Sequence, residues 1–405
     1  MKRFIYTFLF AGFLHLAYGL SVSFWRPSVW PELVAVRPSK NFYDYAGALN
    51  VRTLNSSGTG TYDEVIRSAQ ESKLSFIIFT DFNDFSPDRS YEAYHDNLLV
   101  FVGGEYSYLN SRVMNFDTKS TDHLQGPGRS QVAIADLLSQ HNPSRAEGVF
   151  VLSHPLKPGY QMAEPYLTGL NGIEVINLKS VWQDAWLDSK LSFVWSIFMY
   201  PFNSNLAFLR ILADAGEREI TILDKLNKKN PTHGYFGSAA EARFKIAGAL
   251  YVPFPSYSTL FSIVSNHVLL RSELTGNAQQ DRKKISDALR RGQFYMSLDM
   301  LQDPKGFEAF LIDSKQNIGP IGSVTPAQPG QELVVSLPAK PQLPFQIIIY
   351  KDGEKVLTST SMETRYTLHG PGVYRAIVRL KIPLPIPDGR KWINWIVTNP
   401  FYIRS

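Results

Sequence analysis

Residues 47–84 constrain the fold of this chain more than any other stretch. They read GALNVRTLNSSGTGTYDEVIRSAQESKLSFIIFTDFND: an apolar start, a Gly/Ser loop, a helix-like segment, an apolar run and an acidic turn. Thr61-Tyr62-Asp63-Glu64 fits a capping box, in which Thr61 caps the helix and Glu64 reaches back to it. Val65, Ile66 and Ala69 follow at helical spacing. Residues 74–80 are apolar without alternation, as expected of a strand covered on both faces. Strand, helix and covered strand in this order predict a parallel βαβ unit.

The same grammar recurs downstream. Residues 98–102 form an apolar run that ends in Gly103-Gly104-Glu105. A helix is expected over 131–140, then a strand over 148–152 ending in Ser153-His154-Pro155. Another strand over 172–176 ends at Asn177. In each unit polar residues follow the strand's C-terminal end, where α/β barrels place their sites. Residues 182–212 hold Trp182, Trp186 and Trp195 among many other aromatics, and are expected to form an irregular insertion. A helix is expected over 213–229 and a Gly-rich strand-to-loop turn over 234–241, so that His233 falls in a loop. After Pro304 about seven short strands alternate with turns such as Lys351-Asp352-Gly353. That pattern predicts an immunoglobulin-like β-sandwich over 305–405, following an α/β domain over 20–304.

Composition narrows the function classes. With 44% hydrophobic and 19% charged residues the chain is globular, and its 405 residues suffice for two domains. Lys2 and Arg3, the apolar run 4–14 and Ala17-Tyr18-Gly19 have the layout of a secretory signal, expected over 1–19. The run of 4–14 alone is short for a bilayer span, and an uncleaved N-terminal anchor is the alternative. Export implies a periplasmic or extracellular location. There is no cysteine, which excludes disulfides and thiolate metal sites. Removal of Lys2 and Arg3 with the signal takes the formal charge from +5 to +3, too mild for a nucleic-acid partner.

Six motifs, in order, carry a family resemblance. They are Gly47-Ala48-Leu49-Asn50-Val51-Arg52-Thr53 with Ser56-Ser57-Gly58, Thr80-Asp81-Phe82-Asn83-Asp84, Gly103-Gly104-Glu105, Ser153-His154-Pro155, residues 173–177, and Gly237-Ser238-Ala239-Ala240-Glu241-Ala242. Together they resemble the polymerase-and-histidinol-phosphatase (PHP) superfamily across residues 45–300. The resemblance implies a distorted seven-stranded (β/α) barrel. In active members it implies up to three divalent cations, held by His, Asp and Glu, that activate a water against a phosphate ester.

Position by position, the implied ligands are mostly replaced. Asn50 and Arg52 stand where the first motif has histidines, and Phe82 where the second has one. Ala239 and Glu241 take the places of the last motif's Asp and His. Glu105 and His154 are unchanged, with Asp81 as a further carboxylate. Phe82 and Ala239 offer no lone pair, and Arg52 brings a permanent cation into a space built for cations. The first reading is therefore a non-catalytic pseudoenzyme that binds a ligand or protein partner at the barrel mouth, with no cofactor. Arg52 is expected within salt-bridge reach of Glu105 or Asp81. The alternative is a divergent metal-dependent phosphoesterase holding one Zn, Mn or Fe ion through Glu105, His154, Asp81 and Glu241. Asp81 and Asp84 are otherwise expected to bond their own turn. A third reading gives the aromatic stretch 182–208 to contact with a membrane surface, a task that suits Trp and Tyr.

Overall fold

In a computed structural model of the chain, the described residues are 2–31, 39–108, 110–118, 134–135, 138, 148–157, 159, 169–247 and 250–405. Most of the helix expected over 131–140 lies outside them. Seven strands close a barrel: β1 (Tyr43–Val51), β2 (Phe76–Phe82), β3 (Leu98–Tyr108), β4 (Ser111–Phe116), β5 (Val149–Ser153), β6 (Gly172–Asn177) and β7 (His233–Ala240). Neighbours pair in that order, and β7 returns to β1 through Leu49 opposite Gly237. β4 runs antiparallel to both its neighbours and the other pairings are parallel. The seven-stranded mixed barrel implied by the six motifs is present.

The βαβ unit forms as its sequence dictates. Thr61 and Glu64 make the reciprocal capping box of α2 (Tyr62–Glu71), which buries Val65, Ile66 and Ala69. Every residue of β2 up to Asp81 is buried. The aromatic stretch departs from expectation, because it is helical: α3 (Leu178–Asp188), α4 (Lys190–Met199) and α5 (Ser204–Leu212), with α6 (Glu217–Asn227) following. Edge-to-face packing of Trp182 on Phe193 and Phe208 organises it, a tertiary preference that periodicity does not reveal. His233 is likewise not a loop residue, but begins β7 and is buried. Preceding the barrel, α1 (Lys2–Val22) runs beyond the apolar stretch and is long and apolar enough to cross a membrane, a property shared by signals and anchors.

The later strands continue the barrel's sheet. Strand β8 (Ser265–Leu270) pairs antiparallel with β1, and β9 (Phe294–Ser297) with β8. Beyond residue 304 come β10 (Glu308–Ile312), β11 (Glu332–Ser336), β12 (Phe345–Lys351), β13 (Glu354–Ser359), β14 (Glu363–Thr367), β15 (Gly372–Leu384), β16 (Gly389–Thr398) and β17 (Phe401–Arg404). β16 hydrogen-bonds to β9, so one ladder crosses from the α/β part into the β-rich part. A second, four-stranded sheet contains β10, β11 and β14. Arg375 on β15 grips Asp224 on α6 with two bonds of 2.7 and 2.6 Å, the planar fork that suits a carboxylate.

Under this junction lies a buried ion cluster. His267 Nδ1 stands 2.8 Å from Asp44 on β1, and Nε2 stands 3.2 Å from Asp299; Tyr295 donates to Asp44 at 2.6 Å. Burial alone lowers the pKa of His267, but the two carboxylates outweigh it and hold the imidazole well above its ordinary 6.5. A group with a raised folded pKa contributes stability that is complete below its unfolded value and lost as pH rises through the folded one. His267→Gln should therefore destabilise the protein by about 3–5 kcal/mol near pH 6. The gap from the parent should narrow at alkaline pH in urea melts, and a pH-independent gap would refute the charged assignment.

Candidate functional site

The C-terminal ends of the barrel strands converge on Arg52. β1 delivers it, and the backbone is fixed on both sides: Arg52 N donates to Ala240 O at 3.0 Å, and Tyr257 Oη donates to Arg52 O at 2.8 Å. The side chain is only 2% exposed. Its guanidinium donates to Glu105 in a close ion pair, to Glu241 Oε1 at 2.7 Å and to Ser57 Oγ at 2.9 Å. Burial lowers the guanidinium's pKa, but Glu105 and Glu241 raise it further than burial takes it down. Phe82 forms an apolar lid, with the Arg112 guanidinium 4.1 Å and that of Arg52 5.9 Å from its ring centre.

Asp81 does something else. It accepts from Thr53 N at 2.8 Å, Thr53 Oγ1 at 2.7 Å and Ser56 Oγ at 2.6 Å, and so ties down the loop after β1 rather than its own turn. Asp84 does bond its own turn, through Ser86 N at 3.1 Å. The expected Arg52 pair is thus made with Glu105, while Asp81 anchors the adjacent loop. His154 is buried. Its N donates to Glu174 Oε2 at 3.2 Å, and its Nδ1 lies 2.6 Å from Ser180 Oγ. Burial first, then the nearby Lys157 and Arg52 charges, hold its pKa well below 6.5, so the ring is neutral. Nε2 lies 3.9 Å from Glu105 Oε1, beyond hydrogen-bond reach.

Glu174 is the site residue that the sequence reading passes over, although it lies within residues 173–177. It accepts from Asn50 Nδ2 at 2.8 Å and Asn177 Nδ2 at 2.9 Å. A Cβ at Gly237 would collide with its Oε1, so glycine there makes room for the carboxyl. Desolvation, then the charge of Glu105, raise its pKa to about 7. Two other residues, Lys179 and Arg112, complete the charge pattern. Lys179 Nζ bridges both oxygens of Glu241 at 2.7 and 2.9 Å, and Arg112 approaches Glu105 at 3.7 Å. No local motif flags either of them.

The donor set does not fit a metal cluster. The place between Glu105 and Glu241 is taken by a guanidinium that bonds both, while Phe82 and Ala239 contribute no donor. Among the described residues no three His, Asp or Glu side chains converge as a metal-binding group. The backbone keeps a strained shape at the mouth: Asn50, His154 and Ala239 have φ of 60°, 54° and 43°, each at or just beyond the end of a barrel strand.

No family model matches the chain, and no curated protein matches it. Among solved structures it is similar to a two-domain protein from Bacteroides vulgatus containing a predicted PHP-like metal-dependent phosphoesterase. That match has 12% identity and a TM-score of 0.40, covering 91% of this chain and 98% of the other. It is also similar to PsfC from Pseudomonas syringae, at 13% identity and a TM-score of 0.31, over 61% of this chain and 98% of that one. The barrel is read from the strand order of the chain itself.

Glu174 gives the site a pH signature. Folding raises its pKa from 4.5 to about 7, so the native state retains a proton that the unfolded chain releases. Its contribution is complete below pH 4.5 and is lost as pH rises through about 7, on the order of 3 kcal/mol in all. Glu174→Gln should remove that fall and be more stable than the parent near pH 8. Equal pH slopes in the two proteins would refute the buried proton.

Proposed function

We propose that this chain is an exported, PHP-related binding module without phosphoesterase chemistry. One observation carries the reading: the Arg52 guanidinium lies between Glu105 and Glu241 and supplies the positive charge that their burial demands. The six ordered motifs and the closed seven-stranded mixed barrel support the kinship. Two of the residues that the family pattern leaves unchanged are not set up for acid–base work on a phosphate ester. His154 is neutral and held by Ser180, and Asp81 is saturated by the loop after β1. In this reading the strands after residue 304 form an immunoglobulin-like sandwich. Residues 1–19 direct export or anchor the chain, and the barrel mouth receives the ligand.

The test is elemental analysis of the purified full chain, with phosphomonoester and phosphodiester hydrolysis assayed in manganese, zinc and iron. The expected result is no stoichiometric metal and no turnover beyond that of Glu105→Gln. One retained divalent ion per chain, with hydrolysis lost in Glu105→Gln and His154→Ala, would overturn the proposal in favour of a reduced-site phosphoesterase. A companion measurement addresses Arg52 itself. Arg52→Ala should lose about 3–5 kcal/mol of stability by stranding buried carboxylates. A loss below about 1 kcal/mol would mean that the guanidinium does not hold the mouth together.

A further inference from the structure

A cavity of about 830 Å³ opens beside the barrel mouth, within the size range of small-molecule sites. Its walls are unlike the mouth. Trp182, Trp186, Phe193, Ile197, Tyr200 and Phe254 line it, locked together by edge-to-face contacts. The lining also carries charge, with Lys157, Lys179 and Arg243 beside Glu241 and Asp184. Among the described residues, three cations and two carboxylates thus share the lining, and one of those carboxylates, Glu241, already accepts from Arg52. Burial, reinforced by the charges of Lys179 and Arg112, lowers the pKa of Lys157 to about 8. The cavity therefore combines apolar walls with a group of cationic side chains.

The helices that form the apolar walls are joined to α1. His15 packs on Phe198 and Phe202 at 5.5 and 5.4 Å, and Tyr18 packs on Trp195 at 5.3 Å. Asn203, the cap of α5, donates to Val22 O at 2.8 Å and Trp25 O at 2.7 Å. Outside the cavity the same helices present Leu191 and Phe198 to solvent, Leu191 at 87% exposure. A helix of membrane-spanning length thus ends against α4 and the start of α5, and α4 also lines the cavity.

We infer that this cavity binds a single-chain anionic amphiphile, a long-chain carboxylate or alkyl phosphate, drawn from the bilayer that α1 enters when it serves as the anchor. The chain lies among Trp182, Trp186, Phe193 and Ile197, and the anionic head meets Lys179, Lys157 and Arg243. Lys179 then shares its charge between the head and Glu241, which also accepts from Arg52. The inference rests on the binding-module reading, because it uses the charge arrangement that Arg52 maintains.

Native mass spectrometry of the full chain, released from maltoside micelles, tests it with oleate, oleyl phosphate, oleyl alcohol and inorganic phosphate as separate probes. Oleate or oleyl phosphate should give a one-to-one adduct at least about tenfold more populated than that of the alcohol, which lacks the charge. Lys179→Ala should bring the anion and the alcohol to near parity. Ile197→Trp, which adds bulk between the apolar walls, should abolish adducts of all three chains while leaving the circular dichroism spectrum unchanged. Absence of a one-to-one adduct, an equal alcohol adduct in the parent, saturable binding of inorganic phosphate alone, or an unaffected Ile197→Trp would each overturn the inference. If Ile197→Trp fails to fold, the Lys179→Ala comparison and the probe series still decide. Failure here with metal-free, inactive protein leaves the binding-module reading standing, whereas stoichiometric metal with turnover removes that reading whatever the lipid result.

Discussion

A guanidinium out of contact with water needs partners, and at the barrel mouth that need organises everything else. Arg52 is held by one carboxylate from β3 and another from the loop after β7, so the two ends of the barrel wall are drawn onto one charge. Tyr257 fastens the same region through the backbone, accepting from Thr59 N and donating to Arg52 O. Such a pair adds little net stability over an apolar replacement, yet removing one member is costly because the other stays buried. The arrangement is therefore better at fixing a unique geometry than at holding the fold together.

Much of the fold was legible because it is written locally. The capping box of α2, the unbroken apolar run of β2 and the polar ends of β3, β5 and β6 each depend on neighbours in sequence. The Arg52–Glu105 pair was legible too, since a cation arriving among retained carboxylates has few other places to go. What escaped is non-local. The helices α3 to α5 are set by aromatic packing. His233 was read as a loop residue because nothing nearby says that β7 begins there. Asp81 looked like a residue of its own turn because the Thr53 and Ser56 donors come from another strand's loop. Glu174 draws its raised pKa from burial and from Glu105, which no spacing displays.

Side chains and backbone have parted company at the mouth. Asn50, His154 and Ala239 keep left-handed backbone, which costs an L-residue about 1–2 kcal/mol apiece. Nothing in the chemistry of an alanine asks for that conformation. It is imposed by strand ends that must turn sharply toward a common centre, and Asn50 and His154 offset part of the cost by bonding to Glu174. The centre is a shaped place, occupied by ion-pair partners.

The ladder that runs from β9 into β16 joins the two parts of the chain by a splice instead of a hinge. Three residue pairs, Tyr295 with Thr398, Met296 with Val397 and Ser297 with Ile396, stand opposite one another across it, and Asn399 adds a side-chain bond to Gly234 of β7. Severing the chain near residue 304 would thus do more than remove an appendage. It would strip the outer edge of β9 and leave a row of bare donors and acceptors, the template on which other strands assemble. Any load carried by the later strands would pass through β9 and β8 to β1 of the barrel.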